Sequence, residues 1–155
     1  MRLARFAGDT HATNEGAIVL VDTNIFLEVQ LNQKRAAQAK AILGLLKSGK
    51  TRGYVTDITM DSIAIIMEHY GRTPEQIQVF FSALLGYSGL EFYYLSLFDR
   101  IAATSHMNQF GLDYDDACQY QAMKVLGVDA IASFDADFDR IRQIKRITTA
   151  SEIPP

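Results

Sequence analysis

The sequence predicts an α/β fold, an α/β/α sandwich around a central, mostly parallel, twisted sheet. Short apolar runs alternate along the chain with longer amphipathic stretches, the order expected of strands joined by helical crossovers. The first run, Ile18-Val19-Leu20-Val21, shows no polar alternation, as suits a strand buried on both faces. It ends in a carboxylate, Asp22, where the chain must turn. In an open α/β sheet, ligands bind beyond the carboxyl ends of the parallel strands, so Asp22 is the first candidate site residue.

Residues 1–16, with Gly, Thr, Asn and Asp, read as a flexible lead-in, with a short strand over 3–6 as the one alternative. After the first strand, residues 24–28 start a short helix or turn. Residues 33–48 read as an amphipathic helix, with Ala36, Ala39, Leu43 and Leu46 at helical spacing and Gly49 placed to close it in the left-handed region. A weak second strand covers 53–55. A helix over 58–70 follows, closed by Gly71. Thr73-Pro74-Glu75-Gln76 is a helix start with a capping Thr, Pro in the first turn and Gln three residues on. Its helix carries a wide stripe of Ile77, Phe80, Phe81, Leu84 and Leu85. Core packing is the default use of such a stripe; a partner, or a second copy of the chain in a homodimer, is the other.

Residues 91–97 read as a strand, 99–110 as a helix ended by Gly111, and 113–126 as a helix ended by Gly127. Ala130-Ile131-Ala132-Ser133 is the next strand, 137–141 a helical turn, and 146–149 the last strand. No internal repeat or linker marks a second domain, so 17–150 is expected to be one domain and 151–155 a tail.

The 155 residues suffice for a core without disulfides, and the single Cys118 makes no internal bridge. No apolar run approaches the roughly 20 residues of a membrane helix, and the first sixteen residues lack a signal-peptide centre. These features predict a soluble, cytoplasmic protein without a membrane partner. A net charge of −3 argues against a uniformly basic nucleic-acid binder, but the charges are segregated. Residues 29–56 hold six basic side chains and no acid, and Arg140, Arg142, Lys145 and Arg146 form a second basic group. Seven acids crowd between Asp113 and Asp139. Like charges held close destabilise a fold unless a cation or protons offset them.

Each candidate acid falls where a strand hands over to a helix. Asp22 follows the first strand, Asp61 lies early in the helix after Tyr54-Val55, Asp116 in the first turn of its helix, and Asp135 and Asp137 after Ile131-Ala132-Ser133. The plainer readings stand beside these. Asp113 is the N-cap of its helix. Asp61, Asp115 and Asp116 could each merely offset a helix dipole. Asp22 is the hardest to explain away, because a carboxylate at the end of an apolar strand must find a partner, and Asn24 is placed to cap the next helix or to hold it. His11, His69 and His106 are scattered without metal-ligand spacing, Cys118 reads as packing, and there is no Gly-rich phosphate loop. A set of Asp side chains without His or Cys selects a hard, oxygen-loving cation, Mg²⁺ or Mn²⁺, over zinc. Such an ion suits phosphoester hydrolysis.

The motifs resemble those of PIN domains, the metal-dependent nuclease fold that includes the VapC-type toxins of toxin–antitoxin pairs. Ile18-Val19-Leu20-Val21-Asp22-Thr23-Asn24 is similar to the family's opening motif, in which the Asp binds metal and Thr and Asn support it. Asp113-Tyr114-Asp115-Asp116-Ala117 resembles its third motif, where the acid directly before Ala is the ligand, which singles out Asp116 over Asp115. Ala132-Ser133-Phe134-Asp135-Ala136-Asp137-Phe138 is similar to the closing motif, with Asp135 a ligand and Asp137 a secondary candidate. The chain departs from the family twice, with Ser133 for the usual Thr and Asp61 for the usual Glu.

The resemblance implies a Mg²⁺- or Mn²⁺-dependent endoribonuclease. Asp22, Asp61, Asp116 and Asp135 would be its catalytic ligands, Asp137 a further one, Thr23, Asn24 and Ser133 their supports, and Lys40 and Arg140 would grip RNA. It also suggests a toxin restrained by an antitoxin, with ribosomal-RNA processing and general RNA turnover as the other roles that use the same fold. The competing reading is a non-catalytic PIN scaffold that binds RNA or a protein partner through the 77–85 stripe. A phosphatase with an aspartyl nucleophile also begins with a strand ending in Asp, but it wants an acid where this chain has Asn24.

Overall fold

The computed structural model describes residues 17–153; the lead-in over 1–16 and its optional strand lie outside the described residues. Five strands, β1 (Ile18–Val21), β2 (Arg52–Thr56), β3 (Leu90–Tyr93), β4 (Ala130–Ala132) and β5 (Lys145–Ile147), form one sheet in the order β3-β2-β1-β4-β5. Every neighbouring pair is parallel. The helices are α1 (Thr23–Gln30), α2 (Ala36–Lys47), α3 (Asp57–His69), α4 (Pro74–Leu84), α5 (Leu97–Phe110) and α6 (Tyr114–Leu126), with 3₁₀ turns at Ala136–Arg140 and Ala150–Glu152.

The central strands β1 and β4 lack polar alternation because both of their faces are covered. Val19 and Val21 of β1, with Ala130 and Ala132 of β4, pack into a core shared with α1, α2, α3 and α4. Leu20 and Ile131, pointing the other way by the two-residue period of a strand, pack against α5, α6 and Phe138 of the first 3₁₀ turn. The stripe on α4 goes mostly to the first core. Phe80 and Leu84 are buried in it and Ile77 and Phe81 rest against it, while Leu85 stays exposed. Packing reaches the end of the described chain, where Ile153 joins the same core.

Local chemistry sets the element ends. Thr73 and Gln76 form the reciprocal capping box, and Gly49, Gly71, Gly111 and Gly127 all have positive φ just past their helices. The expected strand over 91–97 ends at Tyr93, because the Ser96 hydroxyl accepts from Asp99 N at 3.1 Å and starts α5 at Leu97. Gly89 is needed for a different reason. It passes so close to the carbonyls of Thr51 and Leu46 that a Cβ would strike both.

The strand order places the site. From β1 the chain adds β2 and β3 on one side, then returns across the sheet to add β4 and β5 on the other. The direction of winding therefore reverses between β1 and β4, which is where an α/β sheet leaves a crevice at its carboxyl edge. Val21 pairs with Ala132, so Asp22 and Ser133 emerge side by side at that point.

Candidate metal centre

Asp22 is only 3% exposed and caps α1, its backbone N donating to Ala132 O at 3.0 Å. Its carboxylate is held by four donors. Oδ1 accepts from Thr23 N at 2.6 Å and Gln119 Nε2 at 2.8 Å; Oδ2 accepts from Asn24 Nδ2 at 2.7 Å and Ser133 Oγ at 2.6 Å. A carboxylate offers about four lone-pair positions, so this one is saturated. The same donors knit the crevice together. Asn24 Oδ1 accepts from Phe134 N at 3.0 Å, and Ser133 Oγ accepts from Asp135 N at 2.9 Å.

Beside this bracket, Asp116, Asp135 and Asp137 each present a carboxylate oxygen, all within 4.8 Å of one another. Asp116 is buried in the first turn of α6, where the Asp113 cap accepts its backbone N–H at 3.0 Å. Asp135 caps the first 3₁₀ turn by accepting from Asp137 N at 2.8 Å. Asp137 pairs with Arg140 Nη2 at 2.8 Å. Burial, with Asp22, Asp113, Asp135 and Asp115 nearby, pushes the Asp116 carboxyl up to about 8. Burial, with Asp22 and Asp113, pushes Asp115 up to about 7. Burial likewise raises Asp22, against the pull of its donors. Asp115 Oδ1, Gln119 Oε1 and Thr23 Oγ1 are buried with no hydrogen-bond partner among the described residues.

A divalent cation fits this chemistry. The donor set is all carboxylate oxygen, which suits a hard ion, and the raised carboxyls mark negative charge that protons offset where no cation does.

Asp61 is not brought into the group. It is exposed on α3, about half a turn around from the buried Thr59 and Ile63. The acid at the β2–α3 junction is Asp57, which takes Arg100 Nη2 at 2.8 Å and Leu95 N at 3.2 Å. Lys40 is exposed on α2. Arg140 divides its guanidinium between Asp137 and Gly111 O, the latter at 2.7 Å. Gln119, which bonds Asp22, is not among the residues the sequence points to. The one available signal was an amide three residues beyond Asp116, on the same helix face.

A family model for the PIN domain matches residues 19–144. No curated protein matches the sequence. Among solved structures, the fold is similar to VapC20 of Mycobacterium tuberculosis, described as a sarcin-ricin loop cleaving toxin, with a TM-score of 0.67 and 15% identity over 90% of this chain and 100% of that one. A toxin–antitoxin complex from Klebsiella pneumoniae gives a TM-score of 0.60 and 19% identity over 82% of this chain and 95% of that one. VapBC2 of Rickettsia felis, bound to a DNA fragment from its promoter, gives 0.62 and 18% over 84% and 97%. At these identities the likeness is one of fold.

Proposed function

This chain belongs to the PIN domain family, a family of nucleases, and from that premise we propose that it is a metal-dependent endoribonuclease that hydrolyses RNA phosphodiester bonds. The observation that carries the reading is the meeting of Asp116, Asp135 and Asp137 at the switch point of the sheet. These three would hold a Mg²⁺ or Mn²⁺ ion, with the Asp22 carboxylate adding negative charge from behind. Such an ion, when bound, supplies an activated water and offsets charge building on the phosphate. Asn24, Ser133 and Gln119 keep Asp22 in one orientation, and Ser133 passes that order on to Asp135 through its backbone N–H.

The toxin–antitoxin neighbours support a biological role as a toxin that a cognate antitoxin protein restrains. A homodimer is supported by an apolar face around the start of α5, where Tyr94, Leu97, Phe98 and Ile101 are all exposed. No helix among the described residues is long and apolar enough to cross a membrane, in keeping with action in the cytoplasm.

The test is cleavage of single-stranded and structured RNA by the purified protein with millimolar Mn²⁺ or Mg²⁺. Cleavage is expected to stop with chelator and to fall by orders of magnitude in Asp116→Asn and Asp135→Asn. Absence of cleavage by the intact protein on every RNA offered, together with no rise in melting temperature on adding either ion, would overturn the reading.

A further inference from the structure

Arg35 reaches the segment that leads into Asp135, one of the three clustered acids. Its guanidinium carbon lies 4.9 Å from the centre of the Phe134 ring, and Nη1 reaches Phe134 O at 3.4 Å. That carbonyl belongs to the peptide bond that leads into Asp135. Four other arginines spend their charge on carboxylates, Arg52 on Glu91, Arg100 on Asp57, Arg140 on Asp137 and Arg146 on Asp139. Among the described residues, the Arg35 guanidinium meets an aromatic face and a carbonyl but pairs with no acid. Both halves of the pair are anchored. Glu28 Oε2 takes the backbone N–H of Arg35 at 2.6 Å, and Asn24, itself bonded to Asp22, takes that of Phe134 at 3.0 Å.

We propose that Arg35, braced on Phe134, grips a backbone phosphate of the RNA strand next to the acid cluster. Stacking occupies one face of the planar guanidinium and leaves most of its in-plane N–H donors open, the geometry that suits a phosphate. The ring also holds the side chain in place before binding, so less rotamer freedom is lost when the phosphate arrives. An acidic cluster repels a polyanion, and a cation held against the peptide bond that leads into Asp135 offsets that repulsion where the strand would pass. Lys34, exposed on the same connection between α1 and α2, extends the positive edge. The inference rests on the ribonuclease reading and adds to it a specific contact.

Binding of a labelled single-stranded RNA to the full chain, followed by fluorescence anisotropy in EDTA so that nothing is cut, tests it. Arg35→Ala is expected to weaken binding on the order of tenfold at low salt, as for loss of a charge-assisted hydrogen bond, and to flatten the dependence of log K on log salt by about 0.7. Arg35→Lys, which keeps the charge but not the planar fork, and Phe134→Leu, which removes the ring, should fall between. Arg142→Ala, exposed and outside the site, should match the native protein. In Mn²⁺, Arg35→Ala should raise KM far more than it lowers kcat. If the native protein cleaves RNA and both Arg35 variants bind with unchanged affinity and salt slope, the contact does not exist. If the native protein neither binds nor cleaves RNA, the ribonuclease reading fails, and this inference with it.

Discussion

Gln119 Nε2 lies 2.8 Å from Asp22 Oδ1, tying α6 to the end of β1 across 97 positions of chain. Both side chains are buried, so neither has water as a substitute partner. Gln119→Leu is expected to destabilise the protein by about 1–3 kcal/mol, the range for leaving a buried polar group short of a partner. Urea denaturation measures this directly. RNA cleavage should fall further than stability does, because Asp22 loses the one donor that ties it to α6, the helix that carries Asp116. An unchanged unfolding midpoint would show that the amide is not holding the carboxylate.

The raised carboxyls give stability a pH dependence of definite sign. An unfolded Asp titrates near 4, whereas Asp116 is held at about 8 and Asp115 at about 7 in the fold. Between those limits the native state binds more protons than the unfolded one, so stability falls as pH rises. In EDTA the melting temperature should therefore decline between pH 5 and pH 8.5, a range that takes in the upper part of that window. Mn²⁺ should raise it more at pH 8 than at pH 5, because an ion must displace the proton that Asp116 carries. Equal stabilisation by Mn²⁺ at both values would show that Asp116 does not bind it.

Asp61→Asn should leave both stability and cleavage close to native. Its side chain is exposed and stands outside the group of three acids, and substitutions at such positions stay within about 0.5 kcal/mol. Loss of activity comparable to that of Asp116→Asn would return Asp61 to the metal set.

If the face at the start of α5 joins two copies, Phe98→Glu should yield a monomer. Phe98 is 84% exposed, with Leu97 and Ile101 beside it, so a new charge costs the lone subunit little but would be buried in the dimer. Light scattering coupled to gel filtration reads the outcome, and a native protein that already runs as a monomer would remove the dimer from the account.

Much of this molecule could be read from its chain because the informative residues act locally. The unalternating run that ends in Asp22, the Thr73 capping box and the glycines after the helices each work within a few positions, and each appears as expected. The all-parallel sheet follows from the alternation of strands and helices. Two kinds of residue resisted. Asp61 was placed by its distance from a strand, but its angle around α3 decides where it points, and the buried Thr59, Ile63 and Met67 set that angle against it. Gln119 resisted because a neutral amide in a helix looks the same whether it faces water or a buried carboxylate. Only the pairing of β1 with β4, which brings Asp22 under α6, tells the two apart.

The central place of β1 also sets when the site comes into being. Asp22 is made early, yet two of the three side chains that hold it come 97 and 111 positions later, from Gln119 and Ser133. A growing chain on the ribosome can assemble β1, β2 and the helices between them from near neighbours, but the crevice waits for β4 to cross back over the sheet. Contacts of such long range form late, since loop closure must precede them. On the ribonuclease reading the enzyme would thus be inert throughout most of its own translation, and an incomplete product that stops before Ser133 would lack that donor to Asp22 together with Asp135 and Asp137.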